Sequence, residues 1–493
     1  MSPPVTSAIL IGLGLLGCLL LARLGGGRRV LLFLLLGSYS LRVAVAIGLY
    51  VVSAYDLPIL TDLHAPSPVI PQGFWHFTYD APAYHENGVR IAAALHVGAQ
   101  LPRIIVHGAF YGAESIDFFY AVGYAYWVLG SHPVYVPLVN AMLWTGTAFL
   151  GYLLSRRLRG ERSGWLAAGL IGFWPSGLIW SGQILKDTAM LFLLLLSVWG
   201  AALVLEGRLR AAVPAGLVLG PAVFELTRVR AYSAGALVVA VLVSLLIFAV
   251  RRRRTLSREW ILRAAILATL LVAVHVAARV TLAPVAVYVP GAPRPPQVRA
   301  LPGFLEALSL ALIASVARVM PRLSSGLMDL HHTLFHLPEL VTFRRVAFLS
   351  YGGGSIFATD ARFRTLWDVL VFVPTGVAHA LYAPFPWEWL LPGATGVFKA
   401  LSGVETFFIV VLTPFLILGV WKGLREGRLE ASVLVLTGLI LLVALSVTVP
   451  NVGTLFRLRL QPLVPLLVVM SAYGLGDGRL GRRISGRGEA NSA

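Results

Sequence analysis

Residues 231–254 read AYSAGALVVAVLVSLLIFAVRRRR. From Ala231 to Val250 there is no charged side chain, and then four arginines, Arg251–Arg254, follow without a break. A helix of about 20 apolar residues is long enough to cross the hydrocarbon core of a bilayer. Basic residues at the end of such a helix mark the side that stays in the cytoplasm. Working outward, further apolar runs lie at 5–23, 30–53, 133–154, 163–181, 187–205, 211–227, 260–285, 402–421, 431–449 and 455–475. The fold expected is an all-α polytopic membrane protein with about eleven spans, the range being ten to thirteen.

Composition points the same way. The chain has 493 residues, of which 58% are hydrophobic and 13% charged, and its mean hydropathy is +0.81. A soluble domain carries about 25% charged residues, so a soluble globular protein is excluded. The net charge of +18 does not indicate nucleic acid, because its largest run sits at the end of an apolar span. Cys18 is the one cysteine, which leaves no disulfide framework and no cysteine-based metal site within one chain. The first apolar run has no basic region ahead of it, and Arg23, Arg28 and Arg29 come after it. That is the reverse of a secretory signal, so it reads as a span.

The basic connectors test the ladder. They are Arg28 and Arg29; Arg156, Arg157, Arg159 and Arg162; Arg208 and Arg210; Arg251–Arg254 with Arg258; Lys422, Arg425 and Arg428; and the tail with Arg479, Arg482, Arg483 and Arg487. All fall on one side if the spans are right. That puts the N-terminus outside and the C-terminus in the cytoplasm. The chain then divides into two N-terminal spans (1–53), a first extracytoplasmic loop (54–132), a central block of spans (133–285), a second extracytoplasmic loop (286–401), the C-terminal spans (402–476) and a basic cytoplasmic tail (477–493). Phe304–Met320 and Leu366–Pro384, within the second loop, read as interfacial helices or a re-entrant pair. The stretch 289–302 is proline-rich and reads as an extended linker. No internal repeat or low-complexity tract is present.

Four polar clusters fall at the outer ends of spans or in the outer loops. The segment HFTYDAPAYHENGVR (76–90) holds Asp80, Tyr84, His85 and Glu86. A carboxylate there can take a proton from an acceptor hydroxyl; equally, Asp80 can be the N-cap of a helix that starts there. In SGQILKD (181–187), Lys186 and Asp187 can hold and orient a phosphate, or form a charge pair at a helix start. In TRVRAY (227–232), Arg228 and Arg230 suit phosphate oxygens, or they snorkel at a helix end. In NVGTLFRLR (451–459), Arg457 and Arg459 stand on the outer side, against the positive-inside trend, and a phosphate at that surface would account for them. Arg42, inside the second span, is similar. His331, His332 and His336 lack the i, i+4 spacing of a helical zinc pair, and glycines 352–354 lack the Lys-Ser/Thr of a P-loop. No zinc site is expected.

Four stretches carry a family resemblance: TYDAPAYHENGVRIAAAL (78–95), the segment 119–162 with its cytoplasmic Arg-Arg-Leu turn, FWPSGLIWSGQILKDTAMLFLLLLSVW (173–199) and NVGTLFRLRLQPLVPLLVVMSAYGL (451–475). In layout the chain resembles membrane glycosyltransferases of the C-type superfold. These include the protein O-mannosyltransferase, aminoarabinose-transferase and rhizobial lipopolysaccharide-transferase-like families. Their motif often has a second acid beside the aspartate, whereas here Ala81 follows Asp80 and the nearest acid is Glu86. The resemblance implies a sugar donor on polyprenyl phosphate and a glycan, lipid or protein acceptor of the cell envelope. It also implies transfer with inversion on the outer face of a bacterial inner membrane. Catalytic roles would fall to Asp80 and Glu86. Substrate would be held by Tyr84, His85, Lys186, Asp187, Arg228, Arg230, Arg457 and Arg459. No cofactor is required by this reading, but a divalent cation (Mg or Mn) could enter through Asp80 and Glu86. The rivals are a lipid-linked glycan transporter or flippase, which would use the same arginine-lined groove, and a polysaccharide polymerase with similar outer loops.

Overall fold

The computed structural model describes residues 2–67, 70–78, 80–98, 116–206, 209–252, 257–281, 337–350, 355–389 and 396–476. Among these the chain is helical, and the one isolated bridge pairs Ile356 with Asn451. Several features singled out in the sequence lie outside the described residues: the stretch 289–302, Phe304–Met320, His331, His332 and His336, glycines 352–354 and the tail 477–493.

The helices run α1 (Pro3–Leu24), α2 (Arg29–Ala54), α3 (Asp80–His96), α4 (Ile116–Leu129), α5 (Tyr135–Arg159), α6 (Glu161–Gly172), α7 (Pro175–Ser181), α8 (Asp187–Glu206), α9 (Leu209–Val229), α10 (Ala231–Arg252) and α11 (Arg258–Thr281). They continue with α12 (Leu337–Ser350), α13 (Leu366–Tyr382), α14 (Gly396–Arg425), α15 (Leu429–Thr448), α16 (Val452–Leu458) and α17 (Leu460–Val469), which runs on as a π-turn over Met470–Leu475. Nine helices among the described residues are long and apolar enough to cross a membrane: α1, α2, α5, α8, α9, α10, α11, α14 and α15. The α16–α17 pair, bent by 41°, makes ten if it counts as one span. The protein is an all-α, multi-pass membrane protein. In a bilayer core no water is at hand for backbone N–H and C=O groups, and helices satisfy them internally.

Two expected spans are broken, each at proline. The run 163–181 is not one rod but α6 and α7, separated at Phe173 and Trp174. Pro175 opens α7, and Trp174 before it is extended, with φ −64° and ψ 126°. Proline disfavours helical geometry in the residue before it. In the last span Pro462 has no N–H to offer the carbonyl of Leu458, which breaks the ladder between α16 and α17.

The spans α5, α8 and α15 form the enclosed centre, while α1, α11 and α14 lie at the periphery. Leu13, Leu16 and Leu20 on α1, and Phe407, Phe408 and Val411 on α14, are exposed. Apolar faces of that extent are a liability in water and the expected surface in lipid. The basic ends meet at one end of the bundle. Arg156 donates to the carbonyl of Gly25 at 2.8 Å, Arg251 to that of Leu424 at 2.7 Å and Arg428 to that of Arg157 at 2.7 Å. Arg157 pairs with Glu430 at 2.8 Å, and Arg159 pairs with Glu426. The first turns of α3, α8 and α10 lie one span length away, at the other end.

α3 and α4 pack on each other. α13, within the second expected outer loop, is an apolar helix of 17 residues. Its start is fixed by Thr365, whose hydroxyl accepts from the Asp368 N–H while the Asp368 carboxylate accepts from the Thr365 N–H, a capping box.

Candidate functional site

At the end of the bundle opposite the basic connectors, four charged side chains from distant parts of the chain form a continuous ladder. Arg457 Nη2 donates to Asp80 Oδ2 at 2.8 Å. Arg457 Nε lies 3.0 Å from Asp187 Oδ2. On its other side Asp187 Oδ1 accepts from Arg230 Nη2 at 2.5 Å. The order Asp80–Arg457–Asp187–Arg230 alternates in sign, so each charge is flanked by opposite charge. Asp187 and Arg230 are buried, with side chains 4% and 9% exposed, whereas Asp80 keeps 27% and Arg457 keeps 16%. The ladder thus has a protected end, at Asp187 and Arg230, and a more exposed end, at Asp80 and Arg457. Lys186, also buried, adds a third positive charge within electrostatic reach of Asp187.

Local structure explains each placement. Asp80 opens α3, where a carboxylate suits the positive helix end. Asp187 opens α8 in the same way. The turn ahead of Asp187 is held by Asn140 Nδ2, which donates to the carbonyls of Gln183 at 2.8 Å and Leu185 at 3.2 Å. Gln183 Oε1 in turn accepts from the Thr78 hydroxyl at 3.4 Å, which ties the strap before Asp80 to the turn before Asp187. Arg230 sits at the break between α9 and α10. Its Nη1 donates to the Tyr232 hydroxyl at 3.0 Å, and that hydroxyl donates to Gln461 Oε1 at 2.9 Å. Arg457 lies in the last turn of α16, whose start is capped by Asn451 Oδ1 accepting from the Thr454 N–H at 3.0 Å.

The other sequence-predicted residues are placed elsewhere. Glu86 is exposed and pairs with Arg90 at 2.5 Å. Six residues after Asp80 on the same helix, it points about 240° further round the axis, so the two carboxylates do not converge. Tyr84 is buried against Phe118 and Phe119, at ring separations of 4.7 and 5.1 Å. His85 Nδ1 lies 2.8 Å from the Tyr126 hydroxyl. Both side chains join α3 to α4. Burial pushes the His85 imidazole down to about 4; nearby His132 adds to the effect and Glu86 opposes it. Arg228 pairs with Asp117 on α4. Arg459 is enclosed, with its Nε donating to Glu405 Oε1 at 2.8 Å and both side chains 0% exposed. Arg42 is buried too, donating to the Gly172 carbonyl at 2.5 Å and lying 4.8 Å above the Trp144 ring.

Sequence reasoning did not single out Asp117, Glu405, Thr78, Asn140, Gln183 or Gln461. Glu405 carried a usable signal, because it is a lone carboxylate inside an apolar span and such a group needs a buried partner. Among the described residues no three His, Cys, Asp or Glu side chains gather around a point where a metal ion could sit.

No family model matches the sequence, and no curated protein does. Among solved structures, the chain is similar to the archaeal oligosaccharyltransferase AglB from Archaeoglobus fulgidus in complex with an inhibitory peptide and a dolichol-phosphate. The TM-score is 0.47 at 12% identity, over 93% of this chain and 52% of that one. The apo form of that enzyme gives the same TM-score and identity, over 94% and 53%. This chain therefore spans about half the length of the oligosaccharyltransferase. A third similar structure is ArnT from Cupriavidus metallidurans bound to undecaprenyl phosphate, with a TM-score of 0.33 at 13% identity, over 93% of this chain and 81% of that one.

Proposed function

We propose that this protein is a membrane glycosyltransferase that moves a sugar from a polyprenyl-phosphate donor to a hydroxyl on a cell-envelope acceptor. The observation that carries the reading is the Asp80–Arg457–Asp187–Arg230 ladder at the end of the bundle away from the basic connectors. By the positive-inside rule that end faces out of the cytoplasm. The N-terminus is then outside, the C-terminus is cytoplasmic, and the membrane is a bacterial inner membrane. Ionisable side chains buried within a membrane protein are costly, and a cluster of them is by default a candidate site.

In this mechanism the acceptor oxygen attacks the anomeric carbon as the bond from that carbon to the donor's phosphate oxygen breaks. The configuration inverts. The acceptor proton passes to the Asp80 carboxylate, the more exposed of the two aspartates. Negative charge grows on the departing polyprenyl phosphate, and cations already fixed in place lower the barrier there. Arg457, Arg230 and Lys186 fill that role. Asp187 holds the two arginines apart and aligned. Glu86 and Arg459 have no step in it, since one faces solvent beside Arg90 and the other is enclosed with Glu405.

The test is a transfer assay in proteoliposomes with radiolabelled polyprenyl-phosphate sugars and a crude envelope extract, comparing wild type with Asp80→Asn. Label should move with the wild type and fall by about 10²-fold or more in the variant, as for a lost general base. If neither protein moves label while both bind the lipid-linked sugar, a transporter or flippase becomes the better account.

A further inference from the structure

We infer that Arg457 is a built-in cation for this site: its guanidinium stands between Asp80 and Asp187 where a divalent ion would bridge two carboxylates, and the donor's phosphate is held without a metal. The inference rests on the reading of the site given above and names how it recognises its ligand.

The donor set does not suit a divalent ion. A Mg ion keeps several waters and is held by one or two carboxylates together with substrate phosphates, so those carboxylate oxygens have to be free to coordinate it. Here Asp80 Oδ2 accepts from Arg457, and the two oxygens of Asp187 face Arg457 and Arg230. With Lys186, three cations surround two carboxylates, so the cluster carries one net positive charge. That sign repels a metal cation and attracts a phosphate. Glu86, the further acid on α3, faces solvent and pairs with Arg90. Arg457 itself is well suited to the bridging role. A guanidinium stays charged and presents its N–H groups as a rigid planar fork. Nη2 and Nε turn toward the two carboxylates, while Nη1 donates to neither. The side chain keeps 16% of its surface exposed, so part of it is open to a phosphate oxygen. Its backbone is fixed from both sides. Asn451 caps the start of α16, and two residues after Arg457 the Arg459–Glu405 pair anchors its end.

Two measurements test this, neither of which needs transfer to occur. The first is Mn2+ binding to the wild-type protein in nanodiscs, followed by electron paramagnetic resonance. No protein-bound Mn2+ is expected at this site. One bound Mn2+ that disappears in Asp187→Asn overturns the inference. The second is binding of polyprenyl phosphate with and without a chelator. Affinity should be the same within about twofold in either condition, and Arg457→Gln should lower it about tenfold or more, with no recovery on adding Mn2+ or Mg2+. Binding that a chelator abolishes and Mn2+ restores overturns the inference even if the variant fails to fold, because that arm uses the wild type. If these results hold but no sugar is transferred, the transferase reading fails while the metal-free phosphate site stands.

Discussion

Replacing Arg459 by Met should unfold the end of the bundle away from the basic connectors rather than weaken substrate binding. Arg459 Nε donates to Glu405 Oε1 at 2.8 Å, and Nη1 reaches the carbonyls of Leu381 and Ala383 at 3.4 and 3.2 Å. Glu405 Oε2 accepts from the Ser176 N–H at 2.7 Å. One ion pair therefore joins α7, α13, α14 and the α16–α17 bend. Both side chains are 0% exposed. Removing the arginine leaves a buried carboxylate with one backbone donor, and breaking such a pair costs about 3–5 kcal/mol. Glu405→Gln leaves the guanidinium without its counter-charge, at a similar cost. The double variant removes both charges and leaves mainly the two carbonyls unpaired, at about 1–3 kcal/mol each. The two single costs together should thus exceed the double cost by a coupling of about 4 kcal/mol. Equilibrium unfolding in mixed micelles, read by tryptophan fluorescence, measures all three. A single variant as stable as wild type, with polyprenyl-phosphate binding lost instead, would show that Arg459 is a ligand residue and refute the structural role.

Gly376→Ala should destabilise the fold by about 1–3 kcal/mol. A Cβ there would stand 2.6 Å from the Ser446 carbonyl oxygen on α15, a backbone atom that cannot rotate away; unchanged thermal stability would mean that α13 does not pack there. Asp187→Asn should split catalysis from binding. Transfer falls by about 10²–10³-fold, as on loss of a preorganised group, while phosphate-lipid affinity holds or rises because a negative charge has left a cationic cluster. A tenfold loss of affinity would contradict that. His85 sets a pH dependence. Its folded-state value near 4 lies below the ordinary 6.5, so the unfolded chain binds the proton first and stability falls as pH drops from 6.5 toward 4. Between pH 6.5 and 5 the loss should be about 1.6 kcal/mol, somewhat below the limiting slope of about 1.36 kcal/mol per unit because the unfolded imidazole is already half-protonated at 6.5. A His85→Gln variant should lack that slope, and an equal slope in the variant would assign it to other groups.

Much of the fold was legible in the sequence because its physics is local. A run such as Ala231–Val250 needs only its own length and apolarity to be a span, and the arginines after it need only the bilayer to orient it. The breaks at Pro175 and Pro462 were legible in principle for the same reason, since proline acts on its own backbone and that of its neighbours. The candidate site was legible as residue types at the span ends away from the basic connectors: Asp80, Lys186, Asp187, Arg230 and Arg457 all belong to clusters that composition and position marked. Their grouping was not. Arg457 and Arg459 are two residues apart in one short motif, yet one faces Asp80 and Asp187 and the other is enclosed with Glu405. Two positions along a helix are about 200° apart around its axis, so they meet different neighbours. Which carboxylate waits on each side depends on how α3, α8 and α14 pack around the last span, and packing joins residues hundreds of positions apart. The sequence by itself determined which charges lie at the span ends away from the basic connectors, because that follows from local apolarity and charge; the tertiary structure alone decided which of them pair with each other, because pairing depends on how distant helices pack.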